Sequence, residues 1–237
     1  MAKESPTKVI LITGSNRGIG LELVRQLAAE DWQIIATSRT KPSPDSATKE
    51  LIDRYSNIRW MPLDISQTSS IEQLASTLEK ESTTIDVLIN NAGILLDWHD
   101  SILNVDIQTI RDTLNTNTIG PILVTRGLLP HLKRSEDPLV INVSSAAGSL
   151  TDMRDWAPAY SISKTALNAA TRQFALALEP EGISVCCISP GWVRTDMGGS
   201  NATRTAEDSV KEIRKLLTHP PKSLNARFLR DTKDIPW

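Results

Sequence analysis

The chain has 237 residues, enough for one large α/β domain with a full core. Hydrophobic residues make up 40% and charged residues 23%, ordinary globular usage, and a formal net charge of -2 gives no marked basic or acidic character, so neither nucleic acid nor an anionic membrane is an expected partner. The opening "MAKESPTK" is polar and a strand pattern begins almost at once, so neither a secretion signal nor a membrane span is expected, and the expected location is cytoplasmic.

Short apolar runs alternate with longer segments of helical period, which predicts a parallel sheet with helices on both faces. The first run, "KVILIT" (8–13), reads as a buried strand. The helical pattern after it puts Ile19, Leu23, Val24 and Leu27 on one face and points Glu22, Arg25 and Gln26 outward. Between them lies "TGSNRGIG", a glycine turn of the kind that aims backbone N–H groups and the positive end of a helix at a pyrophosphate. Its glycines, Gly14, Gly18 and Gly20, are spaced TGxxxGxG, a longer turn than GxGxxG, which admits Ser15, Asn16, Arg17 and Ile19 beside the phosphates. The second strand, "QIIATS" (33–38), ends at Arg39, with no Asp or Glu in "ATSRT". An acid there would accept from the ribose hydroxyls of NAD, whereas Arg17 and Arg39 suit the 2′-phosphate of NADP.

"TKPSPDS" (40–46) is a surface loop, and the third strand, "IRWMPLD" (58–64), delivers Asp64 and Ile65. The fourth, "DVLINN" (86–91), runs into "NNAG" and brings Asn91, Ala92 and Gly93 to the carboxyl edge of the sheet, where open α/β folds bind ligands. A long helix is expected within 104–133, with Asn117 of "NTNTIG" in an awkward place for an asparagine that has no partner. The fifth strand, "LVINVSS" (139–145), carries Ser144 and Ser145 to the same edge.

The second long helix, 158–180, has apolar residues on more than one stripe and should bury two faces, one on the sheet and one available to a second subunit. It opens with "YSISKTALN", where Tyr160 and Lys164 stand four apart on one face. A phenol titrates near pH 10, and a neighbouring ammonium favours its ionised form, so this lysine can tune this tyrosine as a proton carrier. The sixth strand, "ISVCCIS" (183–189), holds the only cysteines, Cys186 and Cys187, read as buried thiols in a reducing compartment. No Cys or His spacing suggests a metal site. "PGWVRTDM" (190–197) follows, and a weaker strand is expected near "ARFL" (226–229).

TGxxxGIG, NNAG, the serine after the fifth strand, YxxxK and PGWVRTDM, in that order over nearly the whole chain, resemble the short-chain dehydrogenase/reductase superfamily. The resemblance implies a single Rossmann-type, doubly wound NADP-binding domain over residues 1–237. It implies Tyr160 as general acid toward a carbonyl oxygen, Ser145 hydrogen-bonded to that oxygen, Lys164 on the nicotinamide ribose and on Tyr160, and Asn117 in a water relay to Lys164. Ser145 is preferred to Ser144 because it precedes Gly148 by three residues, as the family serine does. By the same likeness Asp64 meets the adenine, Asn91 the adenosine ribose side, and Thr195 with the Val193 backbone, after Pro190 and Gly191, the carboxamide. "PGWVRTDMGG" and the tail "DIPW" are similar to the monomeric carbonyl reductases and, more closely, to the C-factor and sniffer-like carbonyl reductases. The long insertion that the monomeric group has before the tyrosine is missing, which leaves a homodimer across 104–133 and 158–180 open. The tail also lacks the glycine usual just before the final residues.

The expected activity is reduction of a small, mostly apolar aldehyde, ketone or quinone by NADPH. Pocket walls are expected from Ile94, Leu95, Leu96 and Trp98, from Met153 and Trp156, and from Trp192 and Met197, all apolar or aromatic. His99 is left out as a solvated loop histidine. The alternatives are an NADPH-binding signalling or regulatory protein of the C-factor type, or a 3-oxoacyl or polyol-type reductase on the same scaffold.

Overall fold

A computed structural model describes residues 7–220 and 223–237; the polar segment 1–6 on which the leader expectation partly rests lies outside them. The apolar runs form strands β1 (Lys8–Ile12), β2 (Trp32–Ser38), β3 (Ile58–Pro62), β4 (Val87–Asn90), β5 (Leu139–Val143), β6 (Ser184–Ile188) and β7 (Phe228–Arg230). A two-residue strand, β8 (Lys233–Asp234), was not expected from the sequence. They make one sheet in the order β3-β2-β1-β4-β5-β6-β7-β8, parallel throughout except that β8 runs antiparallel to β7. This is the doubly wound Rossmann-type arrangement expected.

Because both faces are covered, the strands are apolar at successive positions, and alternate residues serve different cores. Ile10, Ile12, Ile89, Ile141 and Cys186 pack beneath α1 (Gly18–Leu27), α2 (Ala47–Arg54) and α8 (Ala206–Thr218). Leu11, Leu88, Val140 and Val185 meet the opposite layer, α3 (Thr68–Lys80), α5 (Gly120–Gly127), α6 (Leu129–Leu132) and α7 (Pro158–Leu178). The short α4 (Ile107–Leu114) packs on α7. Among the described residues no helix is long and apolar enough to cross a membrane.

Two expectations change. Glu22 does not point outward: it is 9% exposed, with Arg25 donating to it at 2.7 and 2.6 Å and Gln26 at 2.5 Å, because α8 packs across α1 and covers that flank. The helix expected within 104–133 is broken into α4, a π-helical turn (Asn115–Ile119), α5 and α6. The second face of α7 is left open in the single chain, with Ile162 and Leu176 37% and 62% exposed.

Candidate active site

β1 and β4 are neighbours in the sheet with β2 and β3 wound to one side, so the strand order reverses between them. Above their carboxyl ends opens a cleft of about 1590 Å³. Gly14 and Gly18 shape its near wall. Both have positive φ, +69° and +54°, and a Cβ on Gly14 would stand 2.9 Å from the Ala92 Cα. The turn is tied down from below: the Ser15 hydroxyl donates to the Ile12 carbonyl at 2.8 Å, and the Thr13 hydroxyl accepts from the Asn91 and Ala92 N–H groups, each at 3.0 Å. Asn91 ties back in turn, its amide nitrogen donating to the Thr13 and Gly14 carbonyls at 2.9 and 3.1 Å.

Helix α1 starts directly from this turn with no acidic residue in its first turn and no side-chain cap from Arg17. Its opening N–H groups are therefore available to an anion. Arg17 and Arg39 are exposed and line the same cleft, as do Asn16, Ile19, Asp64, Ile65, Gly93, Pro190, Gly191, Val193 and Thr195. Asp64 is held as a turn acceptor by the Ser66 N–H and hydroxyl at 3.0 and 2.7 Å. Ser15, Gly20 and Asn117 do not line the cleft; they sit behind its wall. Arg17 reaches across the mouth to Asp196 at 3.1 Å, joining the glycine turn to the loop after β6.

The far half of the cleft is built by α7. Lys164 is buried, its Nζ donating to the Val143 carbonyl at 2.8 Å and lying 5.6 Å from the centre of the Tyr160 ring. Burial pushes the Tyr160 phenol up to about 12, partly offset by its hydrogen bond with Ser145, and burial pulls Lys164 down to about 8. The phenol is thus held in its proton-bearing form by desolvation, an effect that the i, i+4 spacing does not reveal. Ser144 is spent elsewhere, its hydroxyl donating to Asn168 Oδ1 at 2.6 Å.

Asn117 occupies the π-helical turn, and its awkwardness there is resolved by three bonds. Its Oδ1 accepts from the Ile94 N–H at 2.8 Å, and its Nδ2 donates to the Ile94 carbonyl at 2.8 Å and to the Ser163 hydroxyl at 3.0 Å. It locks the loop after β4 to α7. All of Leu95, Trp98, Met153, Trp156, Trp192 and Met197 line the cleft; Leu96 and His99 are exposed outside it. Trp98 and Trp156 meet edge to face at 5.1 Å, and Trp156 meets Tyr160 at 6.1 Å.

Three residues of the site escaped the sequence reading. Thr13 fixes NNAG through its hydroxyl. Asp97, 1% exposed, accepts from the Ala159 N–H at 2.6 Å at the start of α7; an aspartate inside the apolar "ILLDW" was the available signal. Arg230 closes β7 and lines the cleft, with no signal in a segment read only as a weak strand.

Residues 8–206 match the family model for short chain dehydrogenases. The C-signal of Myxococcus xanthus is 39% identical over 155 residues, covering 65% of this chain and 93% of that protein. Among solved structures, the carbonyl reductase Sniffer of D. melanogaster is 33% identical with a TM-score of 0.89, covering 98% of this chain and 100% of that one. An NADPH-bound carbonyl reductase from chicken fatty liver is 31% identical, also at 0.89, covering 98% and 99%.

Proposed function

The chain belongs to the short-chain dehydrogenase family of oxidoreductases, and on that premise we propose that it is an NADPH-dependent carbonyl reductase, a single domain over residues 1–237. The observation that carries the reading is the convergence of Ser145, Tyr160 and Lys164 on one cleft whose other end presents a glycine turn and two arginines. The open helix end beneath Gly18 and Ile19 fits a pyrophosphate, and Arg17 and Arg39, with no acid after β2, fit a 2′-phosphate. The carbonyl reductase from chicken fatty liver binds the same cofactor.

When bound, NADPH supplies the hydride for the carbonyl carbon. The Tyr160 hydroxyl gives its proton to the carbonyl oxygen, and the Ser145 hydroxyl holds that oxygen and the phenol together. Lys164, anchored on the Val143 carbonyl, offsets the charge left on the phenol. Asn117 and Lys164 both face Gly93, where an added Cβ would stand 3.2 Å from Asn117 Oδ1 and 3.7 Å from Lys164 Nζ, which supports the place of Asn117 in a relay to that amine. The wall of Leu95, Trp98, Met153, Trp156, Trp192 and Met197 suits the apolar body of an aldehyde, ketone or quinone.

Exposed Ile107, Ile119, Ile162 and Leu176 fit a homodimer across 104–133 and 158–180, and the buried thiols fit a cytoplasmic location. The likeness to the C-signal favours a signalling role as a second reading. The test is NADPH and then NADH consumption with neutral aldehydes, ketones and quinones. Turnover with NADPH, and a loss of about 10²–10⁴-fold in Tyr160→Phe with NADPH binding retained, is expected. Tight NADPH binding with no turnover of any carbonyl compound overturns the reductase reading and leaves the second.

A further inference from the structure

Two arginines around the last two strands are paired: Arg227 is spent on Asp234, donating at 2.7 and 2.8 Å, and Arg204, from before α8, is spent on Asp231. Arg230 is different. It lines the cleft, makes no ion pair among the described residues, and donates only to the Ser189 hydroxyl, at 3.4 Å. Its Nε is buried without an acceptor among the described residues. Buried polar hydrogens of folded proteins are almost always matched, and an unmatched donor on a charged group is costly.

Ser189 marks where this guanidinium lies. The same hydroxyl accepts from the Ala146 N–H at 3.1 Å, and Ala146 directly follows Ser145. Arg230 therefore stands under the turn that carries Ser145, at the reacting end of the cleft and away from the Arg17 and Arg39 end. The acids that share the cleft do not pair with it: Asp64 serves Ser66, Asp196 serves Arg17, and Asp152 and Asp155 are exposed at the rim. The Nη1 of Arg230 has no acceptor among the described residues and is left to meet a carboxylate from the cleft, and the apolar walls of the same cleft, Trp98 and Trp156 among them, suit a hydrocarbon body better than a dianionic phosphate.

We propose that Arg230 is a specificity residue that holds a carboxylate, so that the cleft prefers oxo acids, carbonyl compounds whose apolar body also bears a carboxylate. That such acids are reduced rests on the reductase reading; the carboxylate site does not. The protein with NADPH bound is titrated calorimetrically with hexanoate and with methyl hexanoate, in wild type, Arg230→Met and Arg230→Lys. Hexanoate is expected to bind about tenfold more tightly than the ester in wild type, to lose that preference in Arg230→Met and to keep part of it in Arg230→Lys, with NADPH affinity unchanged. Equal binding of acid and ester in wild type, a preference that survives Arg230→Met, or a fall in NADPH affinity in that variant overturns the proposal. Should Arg230→Met fail to fold, the wild-type preference and its reduction in Arg230→Lys decide it. In a parallel arm 6-oxohexanoate is compared with hexanal as substrate. Reduction of hexanal with no preference for the acid overturns the carboxylate site and leaves the reductase reading. Preferential binding of hexanoate with neither compound reduced does the reverse.

Discussion

Desolvation moves the Tyr160 phenol and the Lys164 ammonium in opposite directions, because burial penalises the charged form of each. Tyr160 and Lys164 were legible as a pair because four residues of helix bring two side chains to one face, but the spacing says nothing of how dry their surroundings are. Burial moves the phenol up to about 12 and the amine down to about 8, so across the neutral range the tyrosine keeps its proton while the lysine begins to lose its own. Since Lys164 supports catalysis as an ammonium, kcat/KM for carbonyl reduction is expected to fall as pH rises through about 8. The limb should vanish in Lys164→Met, leaving a lower, flat profile; the same limb persisting in that variant would assign it to another group. Arg230 was illegible for a complementary reason. An arginine in a short tail is usually solvated, and only its partial burial beside Ser189 and the pairing of its neighbours set it apart.

The elements were read well where periodicity is long and poorly where it is short or interrupted. Seven strands stand within a residue or two of their expected ends, because each is a run of apolar residues between turns. Strand β8 has two charged residues and exists only because β7 offers it an edge. The π-helical turn at Asn117 keeps helical spacing on both sides and so leaves no trace in the pattern. Helix α7 shows a different long-range dependence. Its N-cap, Ala157, sits in the left-handed region at φ 43° and has no side chain with which to cap, and Asp97, 62 residues earlier, accepts from the Ala159 N–H instead. Asp97→Ala is expected to cost about 0.5–2 kcal/mol. For a chain of this size that lowers Tm by roughly 2–4 °C per kcal/mol. It is also expected to lower kcat, because Tyr160 is the next residue after the bond that is lost. Thermal unfolding and turnover of the variant check both; an unchanged Tm would show that the bond contributes nothing to the helix start.

At the scale of the molecule, the sheet order places the two halves of the cleft on opposite sides of the β1–β4 reversal, and the loop after β6 bridges them through Arg17 and Asp196. The alternation of strands and helices announced this layout in the sequence, whereas the bridge depends on two exposed side chains 179 residues apart in the chain.

The adjacent cysteines of β6 lie one on each side of the sheet. Cys186 packs with the core beneath α1 and α8, and Cys187 donates toward Asn168 of α7. Burial raises both thiols above their ordinary range, Cys186 to about 12, so neither reacts while its layer is closed. The chain thereby carries a separate chemical clock for each helical layer. In Cys187→Ala and Cys186→Ala, labelling of the remaining thiol by a disulfide-exchange reagent times the opening of one layer at a time. Equal rates are expected of one domain whose two layers open together in global unfolding; a faster Cys187 would mean that α7 lifts from the sheet while the opposite layer stays closed.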